Sequence, residues 1–415
     1  MAALLPERVV LFHDFSEALG GASYLVQVLI AQLRDRHVPV TFIAGDSGAN
    51  FKRADVDFIA LHGKPLLERS KAGALARGLH NHSAYLAVKD WVTRHDTPGT
   101  VYHVHGWSKI LTPAIFAALN AVSDRLLLHG HDYFNGCPNG AFFNYPRERD
   151  CGFEPLARDC LRSQCDKTSY AQKLWRSGRE GLRRALLRGG ANASRLLMIH
   201  PGQKDNFLRA RWPDQKLFPL RNPATPLTAE RVPVESNRGV IFIGRISAEK
   251  GADLAALAAR KAGLPITFVG DGSEIERVRA LNPDAVFLGR LDRNGVAKAL
   301  GRARVAVMPS RWSEPFGLVA LEAIGSGVPV IVSDRALIAA EIEQAGFGMA
   351  LDTANVDAFA KALRSFHTDN DSILAMSRAG HGRYLELCNT ESDWGAETLG
   401  HYADVLRSTG FRRDR

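Results

Sequence analysis

Short apolar runs alternate with amphipathic helical patterns from the first residues of the chain onward. Residues 9–12 form an apolar run, residues 25–33 carry apolar side chains at three- and four-residue steps, and residues 40–43 form a second run. Short runs of this kind predict buried strands, whereas the three- and four-residue spacing predicts a helix. A strand, a helix and a strand in succession predict a parallel sheet with helices on both faces.

The alternation occurs twice, on either side of a proline-rich stretch. Further strands of the first half are predicted at 101–104, 126–128 and 196–199. The second half is predicted to have a helix at 248–262 and strands at 240–242, 266–269, 286–288, 305–308 and 328–332. The prolines between the halves are Pro219, Pro223, Pro226 and Pro233. Two such series predict an α/β protein of two facing Rossmann-like domains with an interdomain cleft, where ligands bind at the carboxyl ends of the strands.

These patterns divide the chain into domains. We expect an N-terminal Rossmann-like domain at 1–220 and a C-terminal one at 237–390. Residues 221–236 are the expected linker, because this density of proline opposes helix interiors and central strands. The pattern breaks at 134–173, which predicts an irregular insertion, and the helical pattern of 391–415 is expected to cross back to the first domain.

Composition and charge narrow the class of protein. The proportions of apolar (46%) and charged (23%) residues are typical of a globular protein. No apolar run approaches the roughly 18 residues that a membrane-spanning helix needs. The first residues also lack the pattern of a signal peptide, so we expect a cytoplasmic protein.

The positive charge is concentrated in one segment. The net charge of the chain is +9, and residues 158–221 contain 15 Lys and Arg against 5 Asp and Glu. A basic surface would attract phospholipid headgroups or a lipid-diphosphate acceptor, which favours peripheral contact with the inner face of an anionic membrane. The alternative is a solvated arginine-rich helix without a partner. Nucleic acid is not expected, because no recognised binding module accompanies the charge.

The most informative segment is 309–332, where a strand leads through a loop into a helix that starts at about Gly317. The unpaired N–H groups of a helix start suit a diphosphate, and a glycine lets it approach the backbone closely. We therefore assign Phe316, Gly317 and Leu318 to nucleotide binding. One glutamate precedes this helix start and another follows it.

Glu314 lies on the loop before this helix and Glu322 lies just over one turn inside it. One carboxylate can meet the sugar end of a nucleotide sugar while the other accepts hydrogen bonds from ribose hydroxyls. The alternative is that both glutamates are merely favourable near a helix N-terminus. The two residues alone leave both interpretations open.

Two further glycine turns follow strands of the same half. Gly244 permits close approach of a ligand to the backbone, and Arg245 and Lys250 supply cations where a leaving diphosphate would develop charge. Gly270 stands in a Gly-Asp-Gly turn. Three such turns on one sheet edge predict a nucleotide crevice, although Lys250 by itself could be an exposed lysine at a helix start.

The order of these motifs resembles the retaining glycosyltransferases of family 4, which have the GT-B fold. The resemblance covers most of residues 236–365. It is carried by Gly-Arg-x-Ser-x-Glu-Lys-Gly at 244–251, Gly-Asp-Gly at 270–272 and Pro-Ser-x-x-x-Glu-Pro-Phe-Gly-x-x-x-x-Glu-Ala at 309–323. It implies transfer of a sugar from a nucleotide-diphosphate sugar with retained configuration and without a catalytic divalent metal. The basic segment favours a saccharide or lipid-linked saccharide acceptor in surface polysaccharide or glycoconjugate assembly.

In the first half the resemblance rests on two short segments. Gly20 and Gly21 resemble the family's diglycine loop, which closes over the donor phosphates. Residues 128–134, Leu-His-Gly-His-Asp-Tyr-Phe, resemble the strand end that carries the family's His-Asp pair. His131 is therefore the candidate active-site histidine, with His129 as the alternative.

The resemblance also implies a role for each candidate catalytic residue. Glu314 would contact the donor sugar, Glu322 the ribose, and Arg245 and Lys250 the diphosphate, while His131 would line the reacting centre. In the family's single-face displacement the leaving phosphate helps to take the acceptor proton. No protein nucleophile is therefore assigned.

Four histidines support a rival enzyme class. His103 and His105, like His129 and His131, form alternating pairs at predicted strand ends, as zinc ligands do in metal-dependent hydrolases. The two-domain alternation, however, supplies no metal-hydrolase barrel. A nucleotide-sugar epimerase on the same fold and a non-catalytic nucleotide-binding protein are further alternatives.

Four cysteines fall within the predicted insertion: Cys137, Cys151, Cys160 and Cys165. Four thiolates can close a tetrahedral structural zinc site, which would order a weakly apolar segment. No Cys-x-x-Cys pair is present, so the spacing is not a recognised zinc pattern. A disulfide pair and free thiols are the alternatives.

Overall fold

The structure is a computed structural model that describes residues 4–18, 20–68 and 71–412. These residues form two compact units. Within the described part, the first unit comprises residues 4–146, 151–221 and 391–412, and the second comprises residues 147–150 and 222–390. Each unit contains a parallel sheet covered by helices. The predicted α/β class with parallel sheets is confirmed.

Strands and helices alternate along the chain. The strands are β1 (Arg8–His13), β2 (Val40–Ala44), β3 (Asp57–Ala60), β4 (Thr100–Val104), β5 (Leu126–Gly130), β6 (Phe143–Asn144), β7 (Arg149–Asp150), β8 (Arg195–Met198), β9 (Leu217–Pro219), β10 (Gly239–Ile243), β11 (Ile266–Val269), β12 (Val286–Phe287), β13 (Ala303–Met308), β14 (Val330–Ser333) and β15 (Gly348–Leu351). The α-helices are α1 (Gly21–Asp35), α2 (Lys71–Leu79), α3 (His82–His95), α4 (Ala114–Leu119), α5 (Arg158–Arg162), α6 (Tyr170–Leu186), α7 (Lys204–Arg209), α8 (Ala252–Ala262), α9 (Ile275–Leu281), α10 (Arg293–Leu300), α11 (Leu318–Gly325), α12 (Ala339–Gln344), α13 (Val356–Thr368), α14 (Asn370–Arg383) and α15 (Glu391–Ser408). Short 3₁₀ segments lie at Leu66–Glu68, Asn120–Arg125, Tyr145–Arg147, Arg188–Gly190, Pro201–Gln203, Asp214–Lys216, Val234–Ser236, Ala248–Lys250 and Tyr384–Glu386. No helix in the described ranges is long and apolar enough to cross a membrane.

In the described part of the first unit, seven strands form one parallel sheet in the order β3-β2-β1-β4-β5-β8-β9. Strands β2, β4 and β5 are buried along their whole length. Such continuous burial is typical of a parallel sheet that helices cover on both faces. Because β4 and β5 are neighbours, the histidines at their carboxyl ends come together at one edge of the sheet.

The C-terminal helix α15 is part of the first unit. Its Trp394 and Tyr402 are fully buried. A Cβ on Gly395 would lie 2.8 Å from Cβ of Gln32, so a larger residue there would push against α1. The Tyr402 hydroxyl lies 2.7 Å from Nδ1 of His103, which connects the helix to β4.

Helix α6 buries its charged side and exposes its apolar side. Lys173, Arg179 and Arg183 are all buried. Arg183 makes hydrogen bonds of 2.6 and 2.8 Å to the buried carboxylate of Glu180. The exposed residues are Tyr170, Ala171, Leu174, Gly178 and Ala185. These three cations therefore do not contribute to the basic surface expected for residues 158–221, because they bond to partners inside the unit.

In the described part of the second unit, six strands form a parallel sheet in the order β12-β11-β10-β13-β14-β15. The helix predicted at 248–262 is divided, since a 3₁₀ turn ends at Lys250 and α8 begins at Ala252. Gly251 between them has a left-handed backbone, with φ of +69°. Strands β10, β11 and β13 end at one edge of this sheet, where the predicted motifs lie.

Candidate functional site

Gly244 and Gly270 bring two loops of the second unit into backbone contact at the carboxyl edge of its sheet. They follow β10 and β11 with φ of +148° and +139°, values that residues with a side chain rarely adopt. A Cβ on Gly270 would lie 1.9 Å from the carbonyl oxygen of Gly244. The close packing of these two predicted turns therefore requires glycine.

Lys250 and Glu314 form an ion pair at the same edge, with Nζ 2.5 Å from Oε2. The same carboxylate oxygen accepts hydrogen bonds from Ser310 Oγ at 3.2 Å and from Trp312 Nε1 at 3.0 Å. The Lys250 ammonium also lies 5.5 Å from the centre of the Trp312 ring. Three donors on one oxygen hold this carboxylate in a single orientation.

Arg311 joins the loop that carries Glu314 to the loop that carries Lys250. Its guanidinium donates to both oxygens of Asp253, at 2.6 and 2.7 Å, and to the Ala248 carbonyl at 2.8 Å. Burial opposes ionisation of Asp253, but the hydrogen bond and charge of Arg311 outweigh it and lower the pKa of that carboxyl. Sequence reasoning did not assign Arg311, although its position in the Pro-Ser-Arg segment was an available signal.

The residues around the start of α11 lie as the motif predicts. Gly317 precedes the helix with φ of +76°, and a Cβ there would lie 3.0 Å from Cε of Met308. Phe316 is buried and Leu318 is the first helical residue. The unpaired N–H groups of this helix start are thus on the segment that also holds Glu314.

Glu322 lies inside α11, mostly buried, with Arg293 as its ion-pair partner. Arg293 Nη1 donates to Glu322 Oε1 at 3.0 Å. Burial raises the pKa of Glu322, and the charge and hydrogen bond of Arg293 oppose that rise. Sequence reasoning did not find Arg293, because no motif marks it.

Arg245, the second predicted cation, has a different environment from Lys250. Its side chain is 64% exposed, and Nη2 lies 3.6 Å from Oε1 of the buried Glu249. Lys250 therefore belongs to the Glu314 cluster, whereas Arg245 extends into solvent. In the second unit, the structure thus brings Lys250 and Glu314 together, places Glu322 against Arg293 and leaves Arg245 largely exposed.

In the first unit, Gly20 and Gly21 stand at the start of α1. The Gly20 N–H donates to Ser23 Oγ at 3.1 Å, and that hydroxyl donates back to the Gly20 carbonyl at 3.0 Å. A Cβ on Gly20 would meet nothing within 4 Å. Packing within the described chain therefore does not require this glycine.

His131 follows β5 and is bonded to a histidine of the neighbouring strand. Its Nε2 lies 2.9 Å from Nδ1 of His105. Burial lowers the pKa of His131 to about 3, with a smaller contribution from the charge of His13. The ring is therefore neutral at neutral pH and can act as a hydrogen-bonding group rather than as a cation.

The histidines of the two pairs form one buried stack. Potential ligand nitrogens of His103, His105 and His129 lie within 4.8 Å of one another. His129 Nδ1 is 3.3 Å from His103 Nε2, and His103 Nδ1 bonds to Tyr402. Hydrogen bonds thus connect rings of the stack, and within the described residues the group includes no carboxylate. The metal-hydrolase alternative is not favoured.

The four cysteines of the predicted insertion are free thiols. Among the described residues, they do not form a group with metal-ligand spacing. Burial raises the pKa of Cys137 to about 12 and that of Cys165 to about 11, which opposes the thiolate form that zinc requires. The zinc expectation is therefore unsupported.

Comparison with known proteins finds a family model that resembles most of the second unit. Residues 228–383 match the family model of glycosyl transferases group 1. Glycogen synthase of Mycobacterium tuberculosis is 30% identical over 196 residues, which are 45% of this chain and 43% of that protein. A GDP-mannose-dependent alpha-mannosyltransferase of Corynebacterium glutamicum is 27% identical over 214 residues, 49% of each chain. The chain thus spans less than half the length of these curated relatives.

Solved structures resemble nearly the whole chain. Sucrose-phosphate synthase from Thermosynechococcus elongatus has a TM-score of 0.71 and 18% identity, covering 97% of this chain and 100% of that one. The HepE protein of Anabaena, solved with UDP and glucose, has a TM-score of 0.66 and 16% identity, covering 95% and 100%. WaaG, a glycosyltransferase of lipopolysaccharide biosynthesis, also reaches 0.66, with 15% identity over 95% and 99%. At these identities the likeness concerns the fold. The chain therefore has the GT-B fold, and its residues 228–383 match the model of glycosyl transferases group 1.

Proposed function

We propose that this chain is a retaining glycosyltransferase that moves a sugar from a nucleotide-diphosphate donor to a saccharide or lipid-linked saccharide. The observation that carries the proposal is the Lys250–Glu314 ion pair, held by Ser310 and Trp312 at the carboxyl edge of a group 1 domain. A cation and an oriented carboxylate at that edge suit the diphosphate and the sugar of one donor molecule.

The family resemblance suggests a role for each residue of the donor site. Glu322 accepts hydrogen bonds from the ribose, and Glu314 contacts the donor sugar. The diphosphate lies against the glycine turns and the start of α11. As the bond from the anomeric carbon to the phosphate oxygen breaks, Lys250 and Arg245 stabilise the negative charge that develops on the diphosphate.

The acceptor oxygen then forms the new bond to the anomeric carbon on the face that the diphosphate leaves. Its proton passes to the departing phosphate oxygen, so no protein nucleophile is needed. Independence of a divalent metal is proposed from the family resemblance. Retention of configuration follows from attack on the same face. His131, neutral because of its burial, lines the reacting centre as a hydrogen-bonding group.

The names of similar proteins suggest which donor bases to test first. Two curated relatives are GDP-mannose-dependent mannosyltransferases, and HepE was solved with UDP and glucose. We therefore rank GDP and UDP above ADP and dTDP. The sugar is proposed to be a hexose for the same reason.

The acceptor side is assigned to the first unit, with an anionic membrane as its peripheral partner. The exposed apolar side of α6 continues onto α2, because a Cβ on Gly178 would lie 3.9 Å from Leu79 Cδ2. Leu75 and Leu79 are exposed on α2, as is Leu174 on α6. Exposed cations lie on or shortly before these helices in the chain: Arg77 in α2, and Arg162 and Lys167 ahead of α6. Apolar side chains that insert among acyl chains, together with cations at headgroup level, are typical of interfacial membrane binding.

Calorimetric titration with UDP, GDP, ADP and dTDP tests the donor site, with Glu322→Ala as the comparison variant. Loss of a carboxylate that accepts ribose hydrogen bonds should weaken binding of the preferred nucleotide roughly ten- to a hundred-fold. Absence of binding by all four nucleotides to folded protein would refute the proposal. An epimerase would instead convert the nucleotide sugar without any acceptor, and a metal hydrolase would lose activity on chelation.

A further inference from the structure

Arg293 makes contacts in two directions from the first turn of α10. Its Nη1 donates to Glu322 Oε1 at 3.0 Å. Its Nη2 donates to the carbonyl oxygens of Thr225 and Pro226, at 2.7 and 3.0 Å. One planar guanidinium thus connects the proposed ribose ligand to residues 225–226 of the proline-rich stretch.

The same stretch is seated on the carboxyl end of α11, the helix that carries Glu322. The Ser326 hydroxyl donates to the Glu322 carbonyl at 2.7 Å and accepts from the backbone N–H groups of Leu227 and Thr228, at 2.8 and 3.2 Å. A Cβ on Gly325 would lie 2.9 Å from Pro226 Cγ. These contacts hold residues 225–228 against the helix, so the carbonyls that Arg293 binds have a defined position.

Arg293 is the charged side chain that acts on the Glu322 carboxylate. Burial favours the neutral carboxylic acid at this position, and Arg293 favours the carboxylate. Other titratable groups against α11 lie at its carboxyl end. His381 Nδ1 of α14 is 2.8 Å from the Gly325 carbonyl, and the Tyr384 ring borders Gly325. Neither faces the Glu322 carboxylate in the described contacts.

We propose that Arg293 is a positioning residue for the nucleotide. It holds Glu322 by Oε1 so that Oε2 can accept hydrogen bonds from the ribose hydroxyls, and it connects this carboxylate to residues 225–226. The inference rests on the proposed function, because it takes Glu322 as the ribose ligand. A carboxylate accepts hydrogen bonds from hydroxyls more strongly than a neutral acid does. Arg293 therefore sets both the orientation and the charge of the group that binds ribose.

The test is the affinity of Arg293→Gln for the nucleotide diphosphate that wild type prefers, measured by calorimetry from about pH 5 to about pH 8. At neutral pH the variant should bind roughly three- to ten-fold more weakly, a modest loss because Arg293 is partly exposed. Binding needs the carboxylate, so affinity is lost as the pH falls through the pKa of Glu322. Without Arg293 that pKa is higher, and the loss should begin at a higher pH than in wild type.

Two further variants make the result decisive. Arg293→Lys keeps the charge and should keep the wild-type pH profile, and Arg302→Gln removes an exposed arginine of the following turn and should change nothing. An unmoved pH profile in Arg293→Gln, with or without uniform weakening, would overturn the inference. If Glu322→Ala also bound like wild type, the proposed ribose site itself would fail. If Glu322→Ala weakened binding while Arg293→Gln had no effect, only the role of Arg293 would fail.

Discussion

Gly251 and Gly263 stand on either side of α8 with almost the same left-handed backbone, φ of +69° and +70°. Their surroundings differ. A Cβ on Gly251 would lie 2.0 Å from the carbonyl oxygen of Pro309, whereas a Cβ on Gly263 would meet nothing within 4 Å. Since Pro309 opens the loop that carries Glu314, the glycine beside Lys250 decides how closely the two loops pack.

Gly251→Ala should therefore impair the proposed donor site, and Gly263→Ala should leave it intact. Alanine in a left-handed conformation costs roughly 1–2 kcal/mol of stability at either position. Only at Gly251 must the Pro309 backbone also move, which separates Lys250 from Glu314. Thermal unfolding measures the loss of stability that both variants share. Titration with the preferred nucleotide measures the loss of affinity that is expected only for Gly251→Ala. Equal affinity in the two variants would contradict the packing argument.

The Lys250–Glu314 pair should matter for turnover more than for folding. Lys250→Met and Glu314→Gln each remove one charge from the cluster, and each should lower kcat for sugar transfer roughly 10²- to 10³-fold, the size of effect expected for one preorganised electrostatic group. Lys361→Met, at an exposed position of α13, is the matched control. Initial rates with saturating donor and acceptor provide the measurement. Wild-type kcat in either charge variant would remove the pair from the mechanism.

Arg311 should stabilise the folded protein as well as connect the two loops. Arg311→Met leaves the carboxylate of Asp253 buried without its bidentate partner, which should cost roughly 3–5 kcal/mol in the free energy of unfolding. Replacing both members, Arg311→Met with Asp253→Leu, should recover much of that loss, because the buried carboxylate is removed together with its partner and the remaining partners, Arg277 and Glu148, are about half exposed. Urea unfolding of the two single variants and the double variant gives the comparison. Strict additivity of the two single costs would argue against coupling.

Local signals predicted much of the fold and of the proposed site. Gly244 and Gly270 follow short apolar runs, and Gly317 stands in the motif that precedes a helical pattern, so their places at strand ends and at a helix start could be inferred from the chain alone. Arg293 and Arg311 could not be assigned in this way. Their carboxylate partners lie 29 and 58 positions away, and those pairs exist only once the sheet is assembled.

Helix α6 shows a second limit of sequence reasoning. The count of charges in residues 158–221 predicted a basic surface, but a count cannot tell which of those cations turn toward the rest of the protein. Arg179 donates to the carbonyls of Gly78 and Ser108, at 2.7 Å each, so it turns inward. Buried backbone acceptors of this kind leave no pattern in the sequence.

The exposed apolar side of α6 and α2 leads to a prediction about membrane binding. Leu174→Glu and Leu75→Glu should each reduce co-sedimentation with vesicles that contain phosphatidylglycerol, because each places a carboxylate among acyl chains and anionic headgroups. Leu385→Glu, at a position of similar exposure in the second unit, should bind like wild type. Binding that is equal in all three variants, or lost only through a change of oligomeric state, would contradict membrane contact by this surface.

The histidine stack should make the first unit sensitive to acid. Burial lowers the pKa of His103, of His105 and of His131, the last to about 3, whereas an unfolded histidine titrates near pH 6.5. Below about pH 6.5 the unfolded chain therefore binds more protons than the folded one, and the free energy of unfolding must fall as the pH falls toward the folded values. In His131→Gln the slope over that range should be shallower by up to about 1.4 kcal/mol per pH unit, one proton's contribution. His80→Gln, which changes an exposed histidine, should keep the wild-type slope. Urea unfolding at a series of pH values measures these slopes, and an unchanged slope in His131→Gln would show that His131 is not held neutral by its burial.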